Sequence, residues 1–257
     1  QPTFAVYKLT ENLQTVWCHA FTSYRVYGNT DIAFPNIAAT DDSCILVRPE
    51  VGTHNDFSIV IERLSIDSNS LVRDWPRTIL PAFDGACSLA VDVSGYAIVA
   101  YTSSQEASGG AASGSGDIIL TKIDDAGVIQ WNSQNSNFNT IAEESAPSIA
   151  CDGQRNIYIS YMTYGEVSGG QQSGYTDIVV AKFEEDGTIK WTVQQPTFNT
   201  DTFDESPAIA VNDGGDAYVA YYTYGTISGG ESSGYTDIVV LKINTSGDFQ
   251  WARQQGA

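Results

Sequence analysis

The sequence predicts an all-β fold built from repeated four-stranded antiparallel units, and three observations predict it. The entire tryptophan content, Trp17, Trp75, Trp131, Trp191 and Trp251, stands at intervals of 58, 56, 60 and 60 residues. The string "SGGQQSGYTDIVVAK" at 168–182 returns as "SGGESSGYTDIVVLK" at 228–242. No stretch carries helical periodicity; short runs of β-branched and aromatic residues alternate with Gly, Asn and Asp turns. A period of roughly 40–60 residues points to units that stack on one another.

In chain order, "FAVYKLTENLQTVWC" (4–18) reads as one hairpin, the third and fourth strands of a unit. Its Asn12 and Leu13 replace the glycine of the last turn elsewhere. Four complete units begin near residues 35, 87, 147 and 207. In the first, Arg63 and Trp75 are separated by a longer turn than their counterparts. From residue 87 onward the offsets are regular. Cys87, Pro147 and Pro207 correspond, as do Asp117, Asp177 and Asp237, then Lys122, Lys182 and Lys242, then Gly127, Gly187 and Gly247. The last unit divides into "PAIAV" (207–211), "AYVAYYTYG" (217–225), "DIVVLKI" (237–243) and "DFQWARQ" (248–254), joined by the turn-forming "NDGGD" and "NTSG".

Along "DIVVLKI" one face carries Ile238, Val240 and Lys242, the other Val239, Leu241 and Ile243. A strand apolar on both faces is covered on both, which fits a blade packed between two neighbours and not a half-wet sandwich strand. The prediction is therefore a β-propeller of four full four-stranded antiparallel blades plus an N-terminal half-blade. A single repeat domain, 1–257, holds the half-blade at 1–29 and blades at about 30–81, 82–141, 142–201 and 202–257. Eighteen strands make four and a half blades. That count suggests a segment of a longer parent chain, or a spare hairpin completed by self-association, since an uncapped edge invites pairing.

The strings "IACDGQRNIYISYMTYG" and "TDIVVAKFEEDGTIKW" resemble the β-propeller repeat of many bacterial and archaeal surface and secreted proteins. In that repeat an AVDxxGNxYV hairpin precedes a DxFVAKxDxxGxxxW hairpin. The resemblance covers almost the whole chain. It implies the propeller fold and, since its motifs are structural, no particular activity.

Thirty-one acidic and 12 basic residues give a formal charge of −19. That balance argues against nucleic acid, whose phosphates need Lys and Arg, and against anionic lipid. No apolar run approaches the roughly 18 residues of a membrane helix, so membrane insertion is not expected. Cys18, Cys44, Cys87 and Cys151 lack CxxC spacing, which disfavours a zinc knuckle; they read as mostly buried thiols, with one bridged pair as the alternative. Asn244-Thr245-Ser246 forms a glycosylation triplet in a turn. A start at Gln1 fits a processed mature chain or an excised fragment, and the expected setting is extracellular or surface-associated.

Function on a rigid scaffold concentrates in its long loops. Here these are 102–116, 163–175 and 223–235, beside the inter-blade linkers 138–146 and 198–206. Their Tyr, Ser and Gly content resembles an adaptable recognition surface. Tyr164, Tyr175, Tyr224, Tyr235, Glu166 and Glu231 are the candidate binding residues, for a protein or a carbohydrate, against the plainer reading that the tyrosines pack loop on loop. Asp84, Glu144 and Asp204 recur at equal offsets. Oxygen donors suit Ca2+, so they are the candidate metal ligands, though no DxDxDG loop occurs and the repeated carboxylates, these and the Asp117 series, equally read as strand-entry caps or partners of the repeated Lys. Trp17, Trp75, Trp131, Trp191 and Trp251, with Lys122, Lys182 and Lys242, read as structural anchors. His19 and His54 form no HExxH array, and no GxSxG elbow or phosphate-binding glycine motif is present. The expectation is a non-enzymatic structural or adhesive propeller, a subunit or segment of a surface assembly, with a carbohydrate- or protein-binding module as the alternative.

Overall fold

The computed structural model describes residues 3–9, 15–22, 36–39, 43–51, 57–67, 70–82 and 86–255. All regular structure among them is β. A two-stranded hairpin, β1 (Thr3–Leu9) and β2 (Thr15–Thr22), precedes four sheets. The first blade holds β3 (Asn36–Ala39), β4 (Ser43–Val51), β5 (Phe57–Asp67), β6 (Ser70–Arg73) and β7 (Thr78–Ala82). The second holds β8 (Cys87–Val91), β9 (Ala97–Ser103), β10 (Asp117–Ile123) and β11 (Ile129–Ser133). The third holds β12 (Glu144–Cys151), β13 (Ile157–Thr163), β14 (Asp177–Phe183) and β15 (Ile189–Val193). The fourth holds β16 (Asp204–Val211), β17 (Ala217–Thr223), β18 (Asp237–Ile243) and β19 (Phe249–Gln255). Blades two to four are meanders of sequentially paired antiparallel strands. The innermost strands β3, β8, β12 and β16 adjoin in that order. This is a β-propeller with four four-stranded blades.

The first blade departs from the pattern in one respect. Its fourth strand is split: β6 pairs with Leu64–Asp67 of β5, and β7 with Phe57–Ile61. The break falls at Asp74–Arg77, where the longer Arg63-to-Trp75 turn was expected, so the described residues hold nineteen strands in place of eighteen.

The inner turns of blades two to four are fixed by a side-chain oxygen, of Asp92, Asp152 or Asn212, and by a residue at positive φ, Gly95, Arg155 or Gly215. Asp92 Oδ1 accepts from the backbone N–H of Ser94 and Tyr96, and Gly95 takes φ 83°. A residue with a Cβ is disfavoured there. In the outer hairpins of blades two to four Lys sits opposite Trp, and a bulge follows at once: Lys122↔Trp131, Lys182↔Trp191 and Lys242↔Trp251. The N-terminal hairpin repeats both features at Lys8↔Trp17, although the side chains of that hairpin, Trp17 included, lie outside the described residues.

Burial explains why strands with two apolar faces were needed. One apolar cluster lies between the first and second blades (Ile59, Ile61, Val99, Ile119), one between the second and third (Ile118, Leu120, Ile159, Val179), and one between the third and fourth (Ile178, Val180, Val219, Val239). Strands β9, β10 and β14 therefore contribute alternate residues to two separate cores.

The tryptophans couple neighbouring blades and do not merely fill their own. Trp75 Nε1 donates to Asp125 O at 2.8 Å, Trp131 Nε1 to Glu185 O at 3.1 Å and Trp191 Nε1 to Thr245 O at 3.2 Å, each acceptor lying in the outer turn of the next blade. The turn glycine is the counterpart. A Cβ on Gly187 would lie 3.0 Å from the Trp131 ring, and one on Gly247 would lie 2.9 Å from Trp191. The repeated Lys does not meet Asp117 or its equivalents. Lys122 Nζ pairs with Asp92 at 3.0 Å, Lys182 Nζ donates to Thr245 Oγ1 at 2.9 Å, and Lys242 Nζ pairs with Asp216 at 2.7 Å.

Candidate functional site

The loops between second and third strands and the linkers between blades meet on one face of the stack. Backbone pairing zips them: Gly116 bridges Glu143, Thr176 bridges Phe203, and Tyr175 N donates to Thr202 O. Gly174 is required by this contact, because a Cβ there would meet Thr200 O at 2.6 Å.

Each long loop is braced from inside by one glutamine and one aspartate. Gln194 Oε1 accepts from Val167 N, while its Nε2 donates to Gly165 O and Asp177 Oδ2, all at 2.9 Å. Asp177 in turn accepts from Ser173 N and Gly174 N. Gln134 with Asp117, and Gln254 with Asp237, repeat the arrangement. The Asp117 series thus caps the entry to the third strand. Each linker has its own ties. Asn139 exchanges two bonds with Ile118, and Asn199 two with Ile178.

Glu144 and Asp204 close the linkers from below. Glu144 accepts from Thr140 N, Thr140 Oγ1 and Thr163 Oγ1, and Asp204 from Thr200 N and Thr200 Oγ1. Both are fully buried. Burial raises the Glu144 carboxyl above its usual range and pushes Asp204 up to about 6. Their oxygens face hydroxyls and amides of their own linkers and, for Glu144, the Thr163 hydroxyl at the end of β13. Asp84, the third candidate ligand, lies outside the described residues. Among the described residues no group of three or more His, Cys, Asp or Glu is gathered as a metal would require.

Above this braced layer the aromatic side chains emerge. Tyr175 is 66% exposed and stacks on Phe203, with centroids 4.9 Å apart and planes 15° apart. Phe203 meets Tyr224 edge-on at 6.2 Å, and Tyr224 meets Tyr222 at 6.1 Å. Four rings from two loops, a linker and a strand end form one exposed group. Tyr164 joins a different feature, an open cleft of about 610 Å³ lined in part by Asn139, Thr140, Ile141, Glu166 and Gln172. Glu166 accepts from Gln172 N and is exposed beside the cleft. Tyr235 and Glu231 stand apart on the fourth blade, Tyr235 almost fully exposed. The loop 164–176 therefore has the cleft against one linker and the aromatic group against the next. Sequence reasoning passed over Phe203 and the Gln and Asn braces. Gln134, Gln194 and Gln254 nonetheless stand three residues after successive tryptophans, a regularity that identifies them.

No family model matches the chain, and no curated protein matches it. Solved structures do. A thermostable family-43 glycoside hydrolase is 12% identical, with a TM-score of 0.47 over 87% of this chain and 74% of that one. An exo-β-1,3-galactanase from Phanerochaete chrysosporium is 12% identical, with a TM-score of 0.45 over 98% and 54%. A protein of unknown function from Bacteroides caccae is 11% identical, with a TM-score of 0.42 over 99% and 94%. The likeness is one of fold. It still corrects one expectation: a propeller repeat with purely structural motifs was expected to be a non-enzymatic structural or adhesive module. The similar solved structures include several glycoside hydrolases, and the non-enzymatic reading is withdrawn.

Proposed function

We propose that the long-loop face binds a carbohydrate chain, with the Tyr175–Phe203–Tyr224 group as its apolar platform and the neighbouring cleft as its polar subsite. The observation that carries this reading is the exposure of stacked rings on a hydrogen-bonded, braced loop. Exposed aromatic clusters of this kind mark interaction sites, and rings held by their own stacking lose little freedom when a sugar's C–H face covers them. The cleft supplies what the hydroxyls of the same ligand need: the side chains of Asn139, Thr140, Glu166 and Gln172. Glu166, Asp201 and Glu205 make this face acidic, which favours uncharged sugars over uronates. A secreted or surface setting belongs to the same proposal, supported by the repeat's resemblance to those of surface and secreted propellers.

The test is calorimetric titration with neutral xylo-, arabino- and galacto-oligosaccharides, with a reducing-end assay on the same mixtures to register any bond cleavage. At least one series should bind, and Tyr175→Ala or Phe203→Ala should weaken it tenfold or more. Absence of binding to every series, or unchanged affinity in both variants, overturns the reading.

A further inference from the structure

The fourth blade carries nearly the same strand sequences as the third, yet one of its faces is open. Ile118 and Ile178 are fully buried, whereas their equivalent Ile238 is 58% exposed. The same contrast runs along the sheet. In β13 and β14 nearly every residue is buried, but in β17 and β18 alternate residues, Tyr218, Ala220, Tyr222, Val240 and Lys242, are only partly covered. These are the positions through which the second blade meets the third and the third meets the fourth. The open face is also polar in the right places. Trp75, Trp131 and Trp191 each donate to a carbonyl in the next outer turn, while among the described residues Trp251 Nε1 meets no acceptor. Lys122 and Lys182 reach into the following blade at Glu185 and Thr245; Lys242 is held by Asp216 of its own blade. On the loop face, Tyr175 stacks on the linker residue Phe203, and among the described residues Tyr235 has no such partner.

We propose that this face is a docking surface for a further four-stranded blade of the same repeat, seated with the carbonyl of its outer turn on Trp251 Nε1 and its turn glycine under the Trp251 ring. Continuity with the two interfaces already formed carries the inference: the apolar positions, the indole donor and the Lys recur in register. A second copy presenting the same face would set indole against indole and Lys242 against Lys242, with no carbonyl for either donor. The β1–β2 hairpin is two-stranded and lacks the inner strands that would cover Tyr218 and Tyr222. One element of the older interfaces is missing. Ser88 and Ser148 accept from Ile149 N and Ile209 N, but Ala208 occupies that place in the fourth blade, so the incoming inner strand forgoes that bond.

The experiment introduces Ile238→Cys and follows alkylation of the peptide that contains it. In the chain as it stands the thiol should react at the rate of an exposed cysteine, independent of protein concentration. Appending a second copy of residues 198–257 after Ala257 keeps the sixty-residue spacing, and should slow the reaction at least tenfold. Equal reactivity in the extended chain overturns the proposal. Protection in the unextended monomer assigns the face to the N-terminal hairpin, and protection that grows with concentration assigns it to a second copy; both overturn it. An independent readout uses Val240→Asp, which should lower the thermal midpoint of the extended chain and leave the unextended chain nearly unchanged. Similar shifts in both chains also overturn it.

Discussion

Two residues show how much a single position in this repeat carries. Gly187 takes φ 84° under the Trp131 ring, while Gly169 takes φ 76° with nothing within 4 Å of a Cβ. Alanine at either site meets the left-handed penalty of about 1–2 kcal/mol. Gly187→Ala adds overlap with a ring held by its bond to Glu185 O, so it should cost roughly 1–3 kcal/mol more than Gly169→Ala in urea unfolding. Equal losses would show that the indole yields freely. Asp204 makes a different point, about charge. Its folded pKa of about 6 lies above the roughly 3.9 of an unfolded Asp. Between those values the native state binds more protons than the unfolded state, so stability falls as pH rises from 4 to 6. Lowering the net charge of −19 in acid stabilises the fold as well. The contribution of Asp204 is therefore the difference between wild type and Asp204→Asn. That near-isostere keeps an acceptor for Thr200 N and should show a visibly flatter urea midpoint across pH 4–6. Parallel profiles for the two proteins would mean that the buried carboxyl does not titrate with folding.

At the scale of elements, the long loops are ordered by side chains that come from elsewhere in the sheet. Gln194, on the segment that leaves β15, satisfies Val167 N, Gly165 O and Asp177 at once. Gln194→Ala leaves Val167 N and Gly165 O without that partner at about 1–3 kcal/mol each, though water entering the gap recovers part, while Asp177 keeps Ser173 N and Gly174 N. Hydrogen exchange over 165–177 should accelerate tenfold or more while β13 and β14 retain their protection. Uniform acceleration would make the glutamine part of the core and not a loop brace. Strands were legible in the sequence because alternation, turn residues and the repeat all gave the same boundaries: "DIVVLKI" at 237–243 is β18. The first-blade split at Asp74–Arg77 was visible only as a long turn, since no local preference says that β5 pairs with both β6 and β7. The tryptophans were legible as anchors. Their donors were not, because an indole and the glycine that accommodates it lie about one repeat apart, and a pattern read within one unit assigns both to the same blade. The candidate tyrosines were found by composition, whereas Phe203, the ring that joins Tyr175 to Tyr224, sits in a linker whose equivalent position is Glu143.

For the whole molecule, near-identical units acquire different energetics from what stands beside them. Lys122 and Lys242 occupy the same position opposite a tryptophan, and each pairs with the aspartate of its own inner turn. The third blade covers the first pair, leaving Lys122 and Asp92 about 3% and 1% exposed with Glu185 3.6 Å away. The second pair, Lys242 and Asp216, lies on the open face at 24% and 27%. Coulomb attraction alone would rank the shorter 2.7 Å bridge as the stronger. Solvent screening reverses that order, because an exposed pair exchanges one hydrated state for another, while removing one member of a buried pair strands the other in low dielectric. Lys122→Met should therefore cost about 3–5 kcal/mol, read as a large fall in the urea midpoint. Lys242→Met should move the midpoint only slightly in the same chain. If a further blade docks on the fourth, the same Lys242→Met substitution in the extended chain should become costly, because the incoming sheet would exclude water from Asp216 as the third blade does from Asp92. A Lys242→Met effect that is already large without the extension would mean that the bridge owes its strength to its own geometry, and that burial by the neighbouring blade is not what distinguishes the two lysines.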